Sequence, residues 1–218
     1  MSLAPQILLS TAARERCVAN IKEIPAFFFN TKKPKYNASV LIPLCVQNGE
    51  VHLLYTLRSS NLKNHSGQVS FPGGMSDEGE SVIETAVRET EEEIGIERKK
   101  IDIWCEMPPV QGRNEDILIT PVIGEIVNFD PASLQPNVDE VEEIFTVSMK
   151  ELCNVNNHAH LKFKKHPLPI FLYDRHKIWG ITGLITHLFL QSFLPSDVYN
   201  VDFLRKKFEL NELMPSKL

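Results

Sequence analysis

The chain has 218 residues, of which 43% are apolar and 23% are charged, a balance typical of a folded globular protein. Its net charge is -5, with 23 Lys and Arg against 28 Asp and Glu, which argues against a broad surface for nucleic acid or membranes. The length suits one large domain.

The predicted elements are mostly strands, with a helix before them, one among them and one after them. Asn48-Gly49 separates two apolar runs and predicts a two-residue type I′ hairpin turn. This order of elements predicts an α+β or α/β sandwich in one domain. Besides a helix near residue 90, we expect helices over 10–20 and 182–193, and strands over 38–46, 51–58, 68–71, 101–106, 118–127, 144–147, 170–173 and 176–179.

Residues 81–95 carry the clearest helix pattern. Ser81 and Glu84 have the spacing of a capping box, and Gly95 follows the last apolar position as a residue that can end the helix. A helix of about thirteen residues is therefore predicted. Its apolar stripe consists of Ile83, Ala86, Val87, Thr90 and Ile94.

The other face of this helix is acidic. Glu89 and Glu93 lie one turn apart with Glu92 beside them, and like charges at this spacing destabilise a helix. Acidic residues near a helix C-terminus also oppose the helix dipole. One interpretation is a solvated charged face in which Arg88 pairs with Glu84 and Glu92. The other is a site for a hard divalent cation such as Mg²⁺, which prefers oxygen ligands.

The spacing around this helix decides between them. From Gly74 the chain has five residues, then Glu80, then seven residues, then Arg88 at the start of the run RETEEEIGI. This resembles the Nudix box, GX5EX7REUXEEXGU, where U is a bulky apolar residue. Every fixed position matches, and the departure is Thr90 at the first U. The chain is identified on this basis as a member of the Nudix family.

The resemblance implies an α/β/α sandwich with a mixed β-sheet and a loop–helix–loop motif that binds Mg²⁺ or Mn²⁺ over a diphosphate. It implies Glu89 and Glu93 as the principal metal ligands. Glu92 would be a further ligand or the catalytic base that activates water. The sequence leaves the base open. Glu140 or Glu142 could reach in from a loop, although ordinary surface charge is the favoured interpretation for both.

The resemblance also assigns supporting roles around the metal. Arg88 would orient Glu80 and a neighbouring helix carboxylate through its guanidinium fork. The Gly73-Gly74 pair would allow the backbone to approach metal and phosphate closely, and the Gly73 carbonyl is often a ligand in relatives.

The segment upstream of the box points to a substrate. Residues 53–74 resemble the extended motif of the coenzyme A diphosphatase subfamily, roughly LLTxRSxxLxxHxGQVxFPGG, with one extra residue before Arg58. Residues 178–182 are similar to a second subfamily segment. The resemblance implies hydrolysis of coenzyme A, or its acyl and oxidised forms, to 3′,5′-ADP and (acyl-)4′-phosphopantetheine.

Coenzyme A carries a 3′-phosphate besides its diphosphate and needs positive charge beyond the metal. Arg58, Lys63 and His65 would bind substrate together with the two glycines. Alternatively, Arg58 pairs only with a helix glutamate and His65 stabilises its loop. Trp179 is expected in the core rather than stacked on adenine.

Two other functions remain open from the sequence. One is a Nudix hydrolase for ADP-ribose, NADH or capped RNA. The other is a Nudix fold that binds a nucleotide without hydrolysing it, which disagrees with the presence of all three box carboxylates.

The chain ends suggest a location and an organisation. Ser216-Lys217-Leu218 matches the peroxisomal address and predicts binding to the import receptor and a peroxisomal location. Arg14 and Arg16 could belong to a mitochondrial targeting helix, but Glu15 interrupts them. We expect an N-terminal helix and loop (1–36), the Nudix domain (37–195) and a C-terminal helix with the targeting tail (196–218).

No membrane span is expected, because the longest apolar stretch is short and polar. The four cysteines are scattered without a CxxC pair, which predicts buried, reduced thiols and no structural zinc site.

Overall fold

The computed structural model describes residues 3–28, 33–62, 66–112, 116–163 and 166–213. Its helices are α1 (Pro5–Leu8), α2 (Thr11–Lys22), α3 (Val82–Ile94), α4 (Met149–Cys153), α5 (Gly180–Phe193) and α6 (Leu210–Leu213). Its strands are β1 (Tyr36–Gln47), β2 (Glu50–Arg58), β3 (Val69–Ser70), β4 (Gly73–Met75), β5 (Ile101–Glu106), β6 (Val110–Gln111), β7 (Ile117–Ile126), β8 (Val141–Ser148), β9 (His158–Phe163), β10 (His166–Tyr173), β11 (His176–Ile178) and β12 (Lys207–Phe208).

The strands form two sheets. The larger has eight strands, with the order β3-β2-β1-β7-β5, while β4 pairs with β1, β6 with β7 and β8 with β2. It is a mixed sheet, because β1 and β7 are parallel and the other pairs are antiparallel. The smaller sheet has four strands in the order β11-β10-β9-β12.

Helices cover both faces of the larger sheet. Side chains alternate along β1, so Leu41 and Cys45 pack with the apolar side of α3, while Ile42 and Leu44 pack on the opposite face in the core that α2 and α5 complete. This arrangement confirms the predicted α/β/α sandwich with a mixed sheet.

Local sequence signals correspond well to the elements formed. The turn between β1 and β2 has positive φ at Asn48 (51°) and Gly49 (77°), as a type I′ turn requires. Helix α3 has the predicted thirteen residues and a complete capping box. The smaller sheet was predicted only in part: β9 was not expected, because its sequence HAHLKF lacks a strong strand pattern, and its pairing with β10 stabilises it instead.

The C-terminal segment is less helical than expected. Its described part contains a 3₁₀ turn at Phe203–Arg205, strand β12 and the single-turn helix α6. Pairing of β12 with β9 explains the difference, because extended backbone here completes the smaller sheet.

The described residues include no helix that is both long and apolar enough to cross a membrane. All four cysteines are free thiols, with Cys17 and Cys45 fully buried and Cys105 and Cys153 half-buried. Burial raises the pKa of the Cys17 and Cys45 thiols to about 12, so both remain protonated.

Candidate active site

Helix α3 presents Glu89 and Glu93 toward strand β4. Ser81 caps its first turn by accepting a hydrogen bond from the Glu84 backbone N–H, and Gly95 ends it in the left-handed conformation. The helix is therefore fixed at both ends. Glu89 and Glu93, one turn apart, are held on the side that faces β4.

Three carboxylates meet beside this helix. One oxygen each from Glu89, Glu93 and Glu140 lies within 4.8 Å of the other two. Glu93 is 1% exposed, whereas Glu89 and Glu140 are half-buried. We call these three residues the carboxylate cluster. Glu140 was expected to be an ordinary surface charge, and the structure places it in the cluster because the chain before β8 folds back over the end of α3.

Two glycines line the cluster. Gly73 has φ 154°, and a Cβ atom there would lie 2.3 Å from the Ser39 carbonyl oxygen. A Cβ atom at Gly74 would lie 2.5 Å from the Glu89 carboxylate. The Gly73 N–H also donates a hydrogen bond to Glu93 Oε2 at 3.3 Å. Strand β4 can therefore approach β1 at Gly73, and the Glu89 carboxylate at Gly74, only because these two residues lack side chains.

Arg88 holds the surrounding carboxylates together. It donates to Glu80 through Nε (2.9 Å) and Nη2 (3.0 Å), and its Nη1 donates to Glu89 (2.9 Å) and Glu92 (3.0 Å). A further bond reaches the Met75 carbonyl at 3.1 Å. The hydrogen bonds from Arg88 lower the pKa of Glu80 to about 2. This geometry suits the orienting role expected for Arg88.

Glu92 lies outside the carboxylate cluster. Its side chain is 56% exposed and pairs with Arg88. A role for Glu92 as ligand or base stays a prediction, and its exposed position leaves its carboxylate accessible to water.

The predicted substrate-binding residues divide into two groups. Arg58 Nη1 lies 3.7 Å from Glu93 Oε1, and its Nε is buried without a hydrogen-bond partner among the described residues. The pairing with a helix glutamate foreseen for Arg58 is therefore present, next to the cluster. Lys63 and His65 fall outside the described residues. Trp179 is half-buried and packs against the small core of the second sheet.

The electrostatics of the cluster suit a cation. Burial raises the pKa of Glu93 to about 8, although Arg58 and the Gly73 N–H oppose the shift. Burial also raises the pKa of Glu89. A buried carboxylate is costly unless a positive charge or a metal compensates it. Oxygen-only ligands at this spacing are those that Mg²⁺ and Mn²⁺ prefer, so the residues fit the predicted metal.

Comparison with characterised and curated proteins shows similar chains. The mitochondrial coenzyme A diphosphatase NUDT8 of Mus musculus is 43% identical over 165 residues, covering 72% of this chain and 78% of the relative. The human protein of the same name is 39% identical over 166 residues, covering 73% and 70%. The peroxisomal coenzyme A diphosphatase NUDT7 of Mus musculus is 39% identical over 112 residues, covering 51% and 46%.

These relatives show that the predicted peroxisomal location is wrong. The two similar over most of this chain are mitochondrial proteins, and the peroxisomal relative matches only about half of it. The finding that overturns the prediction is the mitochondrial location in the names of the two relatives aligned over most of this chain. The tripeptide Ser216-Lys217-Leu218 lies outside the described residues, and the predicted import-receptor partner depended on it alone.

Solved structures and a family comparison complete the assignment. A MutT/nudix family protein from Enterococcus faecalis has a similar fold, with a TM-score of 0.50, 16% identity, and coverage of 84% of this chain and 70% of that one. Residues 35–169 match the NUDIX domain, a span that contains the carboxylate cluster, Arg88 and both glycines. The chain therefore belongs to the Nudix hydrolase family.

Proposed function

We propose that this protein hydrolyses the diphosphate of coenzyme A and its derivatives in a metal-dependent reaction. The products would be 3′,5′-ADP and 4′-phosphopantetheine or its acyl form. The observation that carries the proposal is the carboxylate cluster beside Gly73 and Gly74 of β4, which have no side chains. The subfamily-like segment that leads into these glycines and the names of the curated relatives support the choice of substrate.

In this proposal Glu89, Glu93 and Glu140 hold Mg²⁺ or Mn²⁺. The bound cation would neutralise the diphosphate charge and lower the pKa of the attacking water. Glu140 supplies a carboxylate from the turn before β8, whereas Glu89 and Glu93 belong to α3. A site built from two elements has its geometry set by their packing, which favours a defined orientation of the diphosphate.

The neighbouring residues would bind and orient. Arg88 and Glu80 keep Glu89 in place, because one guanidinium bonds both carboxylates. Arg58 has a buried Nε without a partner among the described residues and would turn toward a phosphate oxygen when substrate enters. Glu92, which is exposed and pairs with Arg88, is the candidate base. Lys63 and His65 are proposed to contact the 3′-phosphate.

The test is product analysis. Coenzyme A and Mg²⁺ are incubated with the protein, and the products are identified by mass. We expect 3′,5′-ADP and 4′-phosphopantetheine, and we expect Glu93→Gln to abolish turnover while the protein remains folded. Preferential cleavage of ADP-ribose, NADH or capped RNA would refute the substrate assignment. Full activity of Glu93→Gln with Mg²⁺ would refute the assigned metal site.

A further inference from the structure

Asn137 connects the third carboxylate of the cluster to the acidic helix. Its backbone N–H donates to the Glu93 carbonyl at 2.9 Å, in the last turn of α3. Its own carbonyl accepts from the Glu140 N–H (2.9 Å) and the Val141 N–H (2.7 Å). One residue thus bonds both the helix that holds two cluster carboxylates and the turn that holds the third.

The side chain of Asn137 acts on the same turn. Its Oδ1 accepts from the Asp139 N–H at 3.2 Å, which closes an Asx turn, and its Nδ2 makes a long hydrogen bond of 3.5 Å to Glu140 Oε1. The amide therefore contacts the backbone that carries Glu140 and also the carboxylate itself. At the far end of the turn, the Ser59 N–H donates to the Glu140 carbonyl at 2.8 Å.

We propose that Asn137 is a positioning residue for the metal site, which holds the Glu140 carboxylate beside Glu89 and Glu93. Without the Nδ2 contact, nothing else among the described side chains donates a hydrogen bond to this carboxylate. Repulsion from the other two carboxylates would then favour rotamers that point Glu140 toward solvent. The inference rests on the proposed function, because it requires Glu140 to be a ligand.

The experiment separates metal positioning from turn formation. Asn137→Ser keeps a short oxygen for the turn but loses the amide that reaches Glu140. Asn154→Ser is the matched control, because Asn154 is half-buried and its Oδ1 likewise accepts the N–H of the residue two positions later, Asn156, at 3.1 Å. It belongs to the segment between α4 and β9. Both variants are compared with wild type by Mn²⁺ titration calorimetry without substrate, by urea unfolding and by steady-state kinetics.

We expect Asn137→Ser to weaken Mn²⁺ binding about tenfold, the lower end of what loss of a residue behind a metal ligand costs. The KM for coenzyme A at saturating Mn²⁺ should stay within about twofold of wild type, and Asn154→Ser should bind Mn²⁺ as wild type does. Equal Mn²⁺ affinity in the two serine variants would show that Asn137 only forms a turn and would overturn the inference.

Glu140→Gln distinguishes this failure from failure of the proposed function. It should weaken Mn²⁺ binding at least as much as Asn137→Ser. If wild type binds Mn²⁺ and Glu140→Gln weakens the binding while Asn137→Ser does not, only the role of Asn137 is refuted. If Glu140→Gln binds Mn²⁺ like wild type, Glu140 is not a ligand. Both the metal site assigned in the proposed function and the positioning role of Asn137 are then refuted.

Discussion

At the residue scale, Glu93 is an ionisable side chain that is buried without a close positive partner in the metal-free protein. It is 1% exposed, and its cation partner Arg58 lies 3.7 Å away, too far for a strong ion pair. Its pKa of about 8 means that the folded protein retains a proton that the unfolded chain releases near pH 4.5. The contribution of Glu93 to the stability of the metal-free protein therefore falls as the pH rises from about 4.5 to 8.

Replacing this carboxylate should stabilise the metal-free protein. In EDTA at pH 8, we expect Glu93→Gln to raise the free energy of unfolding by roughly 2 kcal/mol, because a neutral amide is less costly to bury than an ionised carboxylate. Urea unfolding measures the change, and saturating Mg²⁺ should reverse the order of the two proteins. Glu92→Gln is the control and should change stability by less than about 0.5 kcal/mol, since Glu92 is exposed. A less stable Glu93→Gln in EDTA would contradict this account.

Gly74 and Gly49 should respond to alanine in opposite ways. A Cβ at Gly74 displaces the Glu89 carboxylate, which is the mobile end of a side chain, so we expect activity to fall at least tenfold with little loss of stability. At Gly49 no atom lies within 4 Å of a new Cβ, but φ is 77°, so we expect about 1 kcal/mol of destabilisation and normal activity. Thermal unfolding and coenzyme A turnover measure both effects. Unchanged turnover in Gly74→Ala would show that Glu89 tolerates displacement.

At the element scale, α2 and α3 make different contributions. Helix α3 is capped at both ends, but its acidic residues near the C-terminus oppose its dipole, as expected of a helix that serves a site. Helix α2 supplies packing: Ala13, Cys17 and Ile21 are buried against the core that α5 completes. Outside this buried face, Arg14 of α2 forms a salt bridge with Asp102 at 2.8 Å. Helix α2 is therefore part of the folded core.

Truncating the buried face of α2 should destabilise the whole protein. Ile21→Ala is expected to lower the free energy of unfolding by about 2–4 kcal/mol, because it leaves a cavity between α2 and the core. Glu15→Ala, on the exposed face of the same helix, should change it by less than about 0.5 kcal/mol. Urea unfolding compares the two. Equal effects would show that α2 does not pack as described.

At the scale of the whole molecule, the C-terminal segment adds β12 to the second sheet and packs its aromatic side chains against two histidine rings. His187 Nδ1 is 3.0 Å from the Tyr199 hydroxyl, and the His158 and His187 rings both pack against Phe203. Burial, with a smaller contribution from His158, lowers the pKa of His187 to about 4. His187 is therefore neutral in the folded protein above about pH 4.

Acidification should accordingly weaken the contribution of His187 to stability, which is opposite in sign to the contribution of Glu93. The unfolded chain binds a proton at His187 near pH 6.5, while the folded protein does so only near 4, so the contribution of His187 to stability is lost as the pH falls through this interval. Between pH 7.5 and 5.5 we expect protonation of His187 in the unfolded chain to lower the free energy of unfolding by about 1 kcal/mol. In urea unfolding at both values, His187→Gln should lack this contribution, so its stability relative to wild type should be higher by about 1 kcal/mol at pH 5.5 than at pH 7.5. An identical pH dependence would mean that His187 is protonated equally in both states.

The sequence alone determined α3, its caps and the Nudix family, because capping residues, apolar periodicity and motif spacing are all local along the chain. For the same reason it predicted the Asn48-Gly49 turn and most strand positions. The orienting environment of Arg88 also followed, since its carboxylate partners Glu80, Glu89 and Glu92 belong to the same motif.

The tertiary structure decided what depends on residues far apart in sequence. Glu140 joins Glu89 and Glu93 only because the segment before β8 bonds to the end of α3 and to the residue after β2. Strand β9 exists through its partners β10 and β12. Neither result can be derived from local pattern, because the free energy that stabilises each comes from pairing between distant segments.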